Sequence, residues 1–192
     1  MVAQARPAAF GNFPSYGMKK MIQSIFRLRT DVGLNFYLAD FFHRKLLRQN
    51  ADTPWAIHPS SKVIAPANIT RGKGVFPGDS PGNYIEASNG IFIDDYTNIG
   101  PNVGIISANH NLVNNSLTQT APPIRIGKFC WIGMNAVVLP SVELGDFTIV
   151  GAGAVVTHSF TGGYVVIAGN PAVVIRQLDR LACDAYKATM NT

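Results

Sequence analysis

The stretch that decides the fold runs from residue 126 to residue 156, IGKFCWIGMNAVVLPSVELGDFTIVGAGAVV, and carries an aliphatic side chain at every sixth position. A period of six is neither the 3.6-residue period of a helix nor the two-residue alternation of a strand. It fits a short strand followed by a tight turn, repeated along the chain. The aliphatic residues of this series are Ile126, Ile132, Val138, Leu144, Val150 and Val156.

The same phase extends into the first half of the chain, at Ile57, Val63, Ile69, Val75, Ile93, Ile99 and Ile105. Small or medium side chains stand four positions after members of both series, namely Ser61, Ala67, Thr97, Val103, Cys130, Ala136, Val142, Thr148 and Ala154. Glycine directly follows four of the later aliphatics, at Gly127, Gly133, Gly145 and Gly151. We expect these glycines to let the backbone turn.

These features predict an all-β fold, a parallel β-helix in which three hexads close a triangular coil of about 18 residues. The aliphatic and small residues point inward and stack from coil to coil. A chance run of aliphatics in an ordinary β-sandwich is the alternative, and six consecutive in-phase hexads disfavour it. The predicted domains are a basic helical segment capping the coil at 1–54, the β-helix at 55–177, and a C-terminal helix and tail at 178–192. Within 18–49, Gly33 and Asn35 separate two short predicted helices.

The net charge of +5 is concentrated in residues 18–48, which hold seven basic and two acidic residues, while the rest of the chain balances nine against nine. A solvated end cap accounts for this segment. A second interpretation is an approach to an anionic membrane or to a lipid-linked, phosphorylated glycan. Nucleic acid is not an expected partner, because the charge is not spread along a groove with interleaved aromatics.

The amino-acid composition limits which classes of protein this chain can belong to. Hydrophobic residues make up 47% and charged residues 14% of the 192, which excludes a disordered chain. The two cysteines, Cys130 and Cys183, do not form a disulfide framework and favour a reducing compartment. No apolar leader and no run of 18 apolar residues is present, so we expect a cytoplasmic protein with peripheral contact at the inner membrane.

Two segments break the period, residues 76–92 and 109–125. Insertions in a solenoid project from one face and often form the functional site. His110 stands at the root of the second segment, in SANHN. From the residues alone, His110 is equally a polar turn residue or a catalytic base.

The hexad array followed by AGNPAVVIR at 168–176 resembles the left-handed β-helix, or hexapeptide-repeat, acyltransferases over about residues 55–178. Residues 75–111, VFPGDSPGNYIEASNGIFIDDYTNIGPNVGIISANHN, are similar to the bacterial polysaccharide O-acetyltransferase branch, and more distantly to galactoside and maltose acetyltransferases. The resemblance implies a left-handed coil, acetyl-CoA as the donor, a carbohydrate hydroxyl as the acceptor, and a homotrimer with sites between subunits. It implies no metal.

The resemblance makes His110 the general base. A sugar hydroxyl is a weak nucleophile, and an imidazole with an ordinary pKa of about 6.5 is suited to take its proton. The resemblance further assigns Asn89 to the reaction centre and Trp131 to the pantetheine arm and the acceptor cleft. From the residues alone, Asn89-Gly90 is equally a turn signal, and packing on a neighbouring subunit is the alternative for Trp131. The resemblance places Met134 and Ala152 along the pantetheine arm and Thr157, His158 and Arg176 near the nucleotide.

Some assignments at this site remain open. Tyr84, Glu86 and Asp95 are candidates for binding sugar hydroxyls. Relatives often carry lysine where His158 stands and a second basic residue where Val173 stands. Phosphate binding therefore rests on Arg176, on Lys128 or on a neighbouring chain.

Three other functions compete with a polysaccharide acetyltransferase. An acetyltransferase acting on a free sugar, an antibiotic or an amino acid shares the same fold and donor. A non-catalytic β-helix binding protein would need neither His110 nor an exposed Trp131. A γ-type carbonic anhydrase needs three zinc-binding histidines, two of them closely spaced. We reject it because His58, His110 and His158 are isolated in sequence.

Overall fold

A computed structural model describes residues 32–190 of the chain. The described part holds two α-helices, α1 (Leu34–Phe41) and α2 (Arg180–Thr189), a π-helical turn at Phe42–Leu46 and a 3-10 turn at Pro66–Asn68. Its strands are β1 (Lys62–Ile64), β2 (Ile69–Arg71), β3 (Tyr84–Glu86), β4 (Ile91–Ile93), β5 (Asn98–Ile99), β6 (Gly104–Ile106), β7 (Ile124–Ile126), β8 (Trp131–Ile132), β9 (Val137–Val138), β10 (Glu143–Leu144), β11 (Thr148–Val150), β12 (Val155–Val156), β13 (Val165–Gly169) and β14 (Ala172–Gln177).

The strands form three sheets that the chain visits in turn. Sheet A has the order β1-β3-β6-β9-β12, sheet B the order β10-β7-β4-β2, and sheet C the order β14-β13-β11-β8-β5. All pairings are parallel except that of β13 with β14. Trp131 pairs with Ile149 and Val137 with Val155, so successive coils are 18 residues apart. The predicted parallel β-helix is therefore observed.

Three rows of turns join the sheets, and we name them by the sheets they connect. Corner AB comprises residues 65–68, 87–90, 107–123, 139–142 and 157–159. Corner BC comprises residues 94–97, 127–130, 145–147 and 161–164. Corner CA comprises residues 100–103, 133–136 and 151–154. In a three-sided coil, corner AB lies opposite sheet C.

The interior of the coil follows the predicted phase. Every aliphatic residue of the six-residue series is buried, and so are all but one of the small residues four positions later. The exception is Ala67, which is exposed. The prediction for this residue is wrong because Ala67 lies in the 3-10 turn Pro66–Asn68, where the left-handed backbone at Ala65 carries the chain off the strand path.

The glycines after the aliphatics serve a different purpose from the one predicted. The left-handed φ angles lie instead three positions after the aliphatics from Ile126 to Val150, on Phe129, Asn135, Ser141, Phe147 and Gly153. A Cβ on Gly133 would lie 2.6 Å from the Val150 carbonyl oxygen of the next coil. These glycines are therefore required for the close approach of successive coils and not for turning.

The first interruption of the period stays within the coil. Ile85 and Ile91 are fully buried and stack on Val63 and Ile69, each pair 22 residues apart. The residues beyond the usual coil length of 18 lie in turns between β2 and β3. Only the second interruption leaves the coil.

At the N-terminal end, Asp40 and Arg44 fasten the chain to the first coil. The buried Asp40 carboxylate accepts hydrogen bonds from the Ile57 N–H at 3.0 Å and from the Arg44 guanidinium at 2.6 Å. Arg44 also donates to the Thr53 carbonyl. Of the two helices predicted in 18–49, the second corresponds to α1 and the π-helical turn, while the first lies largely outside the described residues.

At the C-terminal end, α2 lies on corner BC. Aromatic rings from successive turns stack there, with centroids 5.2 Å apart for Tyr96 and Phe129, 4.9 Å for Phe129 and Phe147, and 5.3 Å for Phe147 and Tyr164. Tyr186 of α2 packs edge-on against Phe129 at 5.8 Å. Within residues 32–190, no helix combines the length and hydrophobicity needed to cross a bilayer.

Candidate active site

His110 lies where the chain leaves corner AB in a projecting loop, after the buried Ile105 of β6. The neck of the loop is a short antiparallel ladder. The Gln119 N–H donates to the Asn109 carbonyl and the Asn111 N–H to the Leu117 carbonyl, both at 2.8 Å. His110 is bridged to Thr118 across this ladder. The backbone at His110 is therefore held although its side chain is exposed.

A cavity of about 350 Å³ lies beside the loop and is lined by Ile64, Tyr84, Glu86, Ser88, His110 and Thr118, among others. Within the described part of the chain, the His110 ring makes no hydrogen bond. An unengaged imidazole at the edge of a cavity with hydroxyl-bearing walls can accept a proton from an incoming polar ligand. Tyr84, 42% exposed, lines the same cavity.

Asn89 lies beneath the loop and uses its side-chain amide to hold it. The Asn89 Nδ2 donates to the Ser107 carbonyl at 3.0 Å and to the Gln119 carbonyl at 2.8 Å. Its backbone N–H donates to Ser107 Oγ at 2.9 Å. Asn89 is thus close to the predicted base, and its amide donors are already engaged with the two ends of the loop.

Glu86 occupies an outward position on β3, yet it is only 9% exposed. Its carboxylate accepts hydrogen bonds from the Ser88 N–H and the Ala108 N–H, both at 2.9 Å. Ser107 Oγ lies 3.4 Å from the same carboxylate. Glu86 is therefore committed to protein groups and does not present a free carboxylate to a sugar.

Two further candidates lie elsewhere, at corner BC. Asp95 accepts hydrogen bonds from the Lys128 ammonium at 2.9 Å and from the Lys73 N–H at 2.8 Å. The hydrogen bond from Lys128 holds the pKa of Asp95 below its ordinary value, and the same bond raises the pKa of Lys128. Asp95 is therefore remote from the His110 cavity, and Lys128 already has an anionic partner.

The outer face of sheet C carries a continuous row of side chains that runs along the coil axis. The strand registers align Asn98, Trp131, Ile149, Val166 and Arg176 in this order. Trp131 is 55% exposed, and Ile149 and Val166 are half-buried. We call this the sheet C row. It offers an apolar strip with a cation at its C-terminal end.

The remaining predicted residues divide between two corners. Met134 and Ala152 lie exposed at corner CA, directly after the strands that carry Trp131 and Ile149. Thr157 and His158 lie at corner AB, where Thr157 Oγ1 is 3.2 Å from His158 Nδ1. The His158 ring packs against Phe160 with centroids 4.6 Å apart.

One chain therefore gathers the candidate residues into two groups instead of one. Tyr84, Asn89 and His110 lie on sheet A and corner AB, whereas Trp131 and Arg176 lie on sheet C and Met134 and Ala152 at corner CA. Corner AB is opposite sheet C in the coil. His110 and Trp131 of the same chain consequently face different directions.

Two residues of the sheet C row, Ile149 and Val166, were not predicted from the sequence. Ile149 stands 18 positions after Trp131, one coil further along. The coil length was available from the period, so adding 18 to Trp131 identifies Ile149. The burial of Glu86 had no comparable signal in the sequence, because it depends on the return of Ser107 and Ala108 over the strand.

The described residues contain no cluster of three or more side chains able to hold a metal ion.

Comparison with known proteins agrees with this architecture. The family model described as bacterial transferase hexapeptide (six repeats) matches residues 123–158. A maltose O-acetyltransferase from Clostridium difficile 630 shares 29% identity and a TM-score of 0.57, over 62% of this chain and 64% of that one. This chain thus spans less than two thirds of the length of that relative. No curated protein matches the sequence.

Two further solved structures are similar. A hexapeptide-repeat acetyltransferase from Vibrio cholerae O1 biovar eltor, complexed with acetyl coenzyme A, shares 25% identity and a TM-score of 0.52, covering 62% of this chain and 68% of that one. A galactoside acetyltransferase in complex with coenzyme A shares the fold at 22% identity, with a TM-score of 0.58 and coverage of 88% and 92%.

The chain thus carries the bacterial transferase hexapeptide repeat on the fold of the hexapeptide-repeat acetyltransferases. The predicted hexapeptide repeat is confirmed, and the solved structures that share its fold include acetyltransferases with acetyl coenzyme A or coenzyme A bound. Two of these neighbours are named for maltose and for galactosides, and the name of the third gives no acceptor, so the polysaccharide branch stays a prediction.

Proposed function

We propose that this protein transfers the acetyl group of acetyl-CoA to a hydroxyl group of a carbohydrate, with His110 as the general base. The observation that carries the proposal is the imidazole of His110, which makes no hydrogen bond with any described residue and borders a cavity on the fold of acetyltransferases. Tyr84, Ser88 and Thr118 around the same cavity supply hydroxyl groups suited to hydrogen bonding with a sugar.

The reaction follows from the chemistry of the two substrates. The acceptor oxygen attacks the thioester carbonyl as its proton passes to the His110 imidazole. The carbon–sulfur bond then breaks as the tetrahedral intermediate collapses, and the imidazolium returns the proton to the departing CoA thiolate. The products are the acetyl ester and free CoA. Neither an oxidant nor a metal enters the balance.

The sheet C row supports the binding of acetyl-CoA. Trp131, Ile149 and Val166 give an apolar strip suited to the pantetheine arm, and Arg176 lies at the end where a phosphate would need a cation. Met134 and Ala152 border the strip at corner CA. Thr157 and His158 lie on another side of the same chain, so a nucleotide would meet them only on a neighbouring subunit.

We further propose a homotrimer of left-handed coils with each site shared by two subunits. The separation of His110 from Trp131 within one chain supports this arrangement, since a second copy is needed to bring the donor row to the base. In a closed threefold ring, every corner AB can meet a neighbour's sheet C. The similarity to hexapeptide-repeat proteins supports the handedness.

The proposed acceptor is a bacterial surface polysaccharide or its precursor, and a small molecule such as a free sugar, antibiotic or amino acid is the second candidate. Release of CoA thiol would be measured with acetyl-CoA and each acceptor class in parallel. Ester formation on a glycan precursor only would support the first candidate, and turnover of small molecules only would support the second. No turnover together with no retention on immobilised CoA would overturn the enzyme proposal in favour of a binding protein.

We also propose peripheral contact with an anionic membrane. Phe41 and Phe42 are exposed beside Lys45 and Arg48, at the end of the segment that carries the chain's basic excess. The full chain should be retained by phosphatidylglycerol vesicles at low salt and released at high salt. Phe41→Ser should weaken retention and Leu112→Ser, in the loop tip, should not. Equal retention by zwitterionic vesicles, or none by either, would contradict the proposal.

A further inference from the structure

The two ends of the projecting loop are fastened by two residues of the preceding coil. Glu86 binds the entry of the loop through the Ala108 N–H and Ser107 Oγ. Asn89 binds both the entry, at the Ser107 carbonyl, and the exit, at the Gln119 carbonyl. The intervening Ser88 N–H donates to Glu86 and completes the arrangement. We call Glu86, Asn89 and Ser107 the clasp.

The clasp requires the desolvation of the Glu86 carboxylate, which an ordinary turn does not require. Removing a carboxylate from water is unfavourable unless hydrogen bonds compensate, and here two backbone N–H groups and a hydroxyl do so. No Lys, Arg or His nitrogen of the described residues lies within salt-bridge distance of Glu86. The other outward glutamate, Glu143 on sheet B, is half exposed and lies near Arg125 at 3.9 Å. The burial of Glu86 is therefore specific to the loop.

The position of His110 follows from this clasp. His110 is two residues beyond Ala108, which Glu86 binds, and opposite Thr118, which precedes the Gln119 bound by Asn89. Because the His110 ring has no hydrogen-bond partner of its own among the described residues, its placement depends on the backbone that carries it. A displacement of about 1 Å at a catalytic group can cost on the order of 100-fold in rate.

We propose that Glu86 and Asn89 are positioning residues, which hold the loop so that His110 faces the cavity. This inference rests on the proposed function, in which His110 is the base. Glu86→Gln keeps the volume and places an NH₂ group where the carboxylate accepted N–H donors. Asn89→Asp places a carboxylate against two carbonyl oxygens, so each variant breaks one half of the clasp without removing bulk.

The test combines hydrogen exchange with steady-state kinetics on the full chain. In both variants we expect faster amide exchange in peptides covering 107–119, unchanged exchange in 126–156, and kcat lower by about 10- to 100-fold with the KM for acetyl-CoA within about twofold of wild type. The matched control Glu143→Gln, the same substitution on sheet B, should leave both readouts unchanged.

Other outcomes decide against the inference. The proposal would be overturned if both variants showed wild-type amide exchange in residues 107–119. It would also be overturned if both variants had an unchanged kcat. Faster exchange across 126–156 with a lower melting temperature would show a merely structural role and would also overturn it. If the wild-type chain itself transfers no acetyl group, the proposed function fails, and the exchange experiment alone still decides whether the clasp holds the loop.

Discussion

Two corners of the same coil differ in how they use the repeat. At corner BC each turn contributes an aromatic ring to one stack, Tyr96, Phe129, Phe147 and Tyr164, and α2 covers it. Charges there are paired, Lys128 with Asp95 and Lys187 with Asp146. At corner AB the chain leaves the coil for residues 107–123, and the His110 side chain has no hydrogen-bond partner among the described residues.

We infer that corner BC mainly stabilises the fold, whereas corner AB carries the proposed reactive side chain. A contact that recurs in every coil stabilises its neighbours on both sides, so corner BC is where the coil and its C-terminal helix are held together. A reactive side chain needs the opposite, since a base engaged by the protein cannot accept a proton from a substrate. We therefore expect substitutions at the two corners to affect different quantities.

The largest expected effect is that of His110→Ala at corner AB. Removal of the proposed general base should lower kcat by about 10²- to 10⁴-fold. Because the side chain is exposed and makes no hydrogen bond with the described residues, the melting temperature should not change. Thiol release and thermal unfolding would be measured on the same preparation, with His58→Ala as the control histidine. A variant that folds and retains wild-type kcat would remove His110 from the mechanism.

Phe129→Ala at corner BC should give the reverse result. Phe129 is 9% exposed and packs against Tyr96, Phe147 and Tyr186, so its truncation should lower the free energy of unfolding by about 3 kcal/mol. The kcat of the folded protein should stay near wild type. Denaturant unfolding and activity at low temperature would check both. A large loss of kcat in folded protein would show that the corners are coupled.

Gly145→Ala tests the close approach of coils that both corners depend on. Its Cβ would meet the Thr161 carbonyl oxygen and the Gly163 nitrogen, which are backbone atoms that cannot move aside freely. We expect a loss of about 2 kcal/mol in the free energy of unfolding. Gly162→Ala is the matched control, since nothing lies within 4 Å of its added Cβ. Equal stability of the two variants would contradict the role assigned to these glycines.

The smallest expected effect concerns the two thiols, one inside the coil and one on α2. Burial raises the pKa of Cys130 to about 12, and it also raises the pKa of the half-buried Cys183. At pH 8 only about one in 10,000 Cys130 thiols is ionised, so a thiolate reagent should label Cys183 alone in native protein. Mass spectrometry would locate the label. Modification of Cys130 without unfolding would show that the coil opens readily.

The repeated part of the molecule was predictable because each coil requires the same pattern of inward-facing aliphatic and small residues. Burial of the aliphatic series and the outward direction of Trp131 follow from the period alone. The left-handed backbone at Phe129 and Phe147 was not predictable, because an aromatic residue gives no sign of a positive φ. The two rings stack on each other at these positions, with centroids 4.9 Å apart.

The site was predictable only in part. His110 was identifiable as the root of an insertion, since an interruption of a strict period is visible in one sequence. The engagement of Glu86 and Asn89 was not, because it depends on how the loop returns over the preceding coil. The distribution of the candidate residues over opposite sides of the coil likewise required the sheet order.

The most direct test of a site shared between subunits is complementation in mixed assemblies. His110→Ala lacks the proposed base, and Trp131→Ala/Arg176→Ala lacks the indole and the cation of the sheet C row. If each site takes His110 from one chain and the row from its neighbour, random subunit exchange between equal amounts of the two inactive variants should restore about a quarter of the wild-type rate. No recovery after verified exchange would show that the site lies within one chain and would contradict a site shared between subunits.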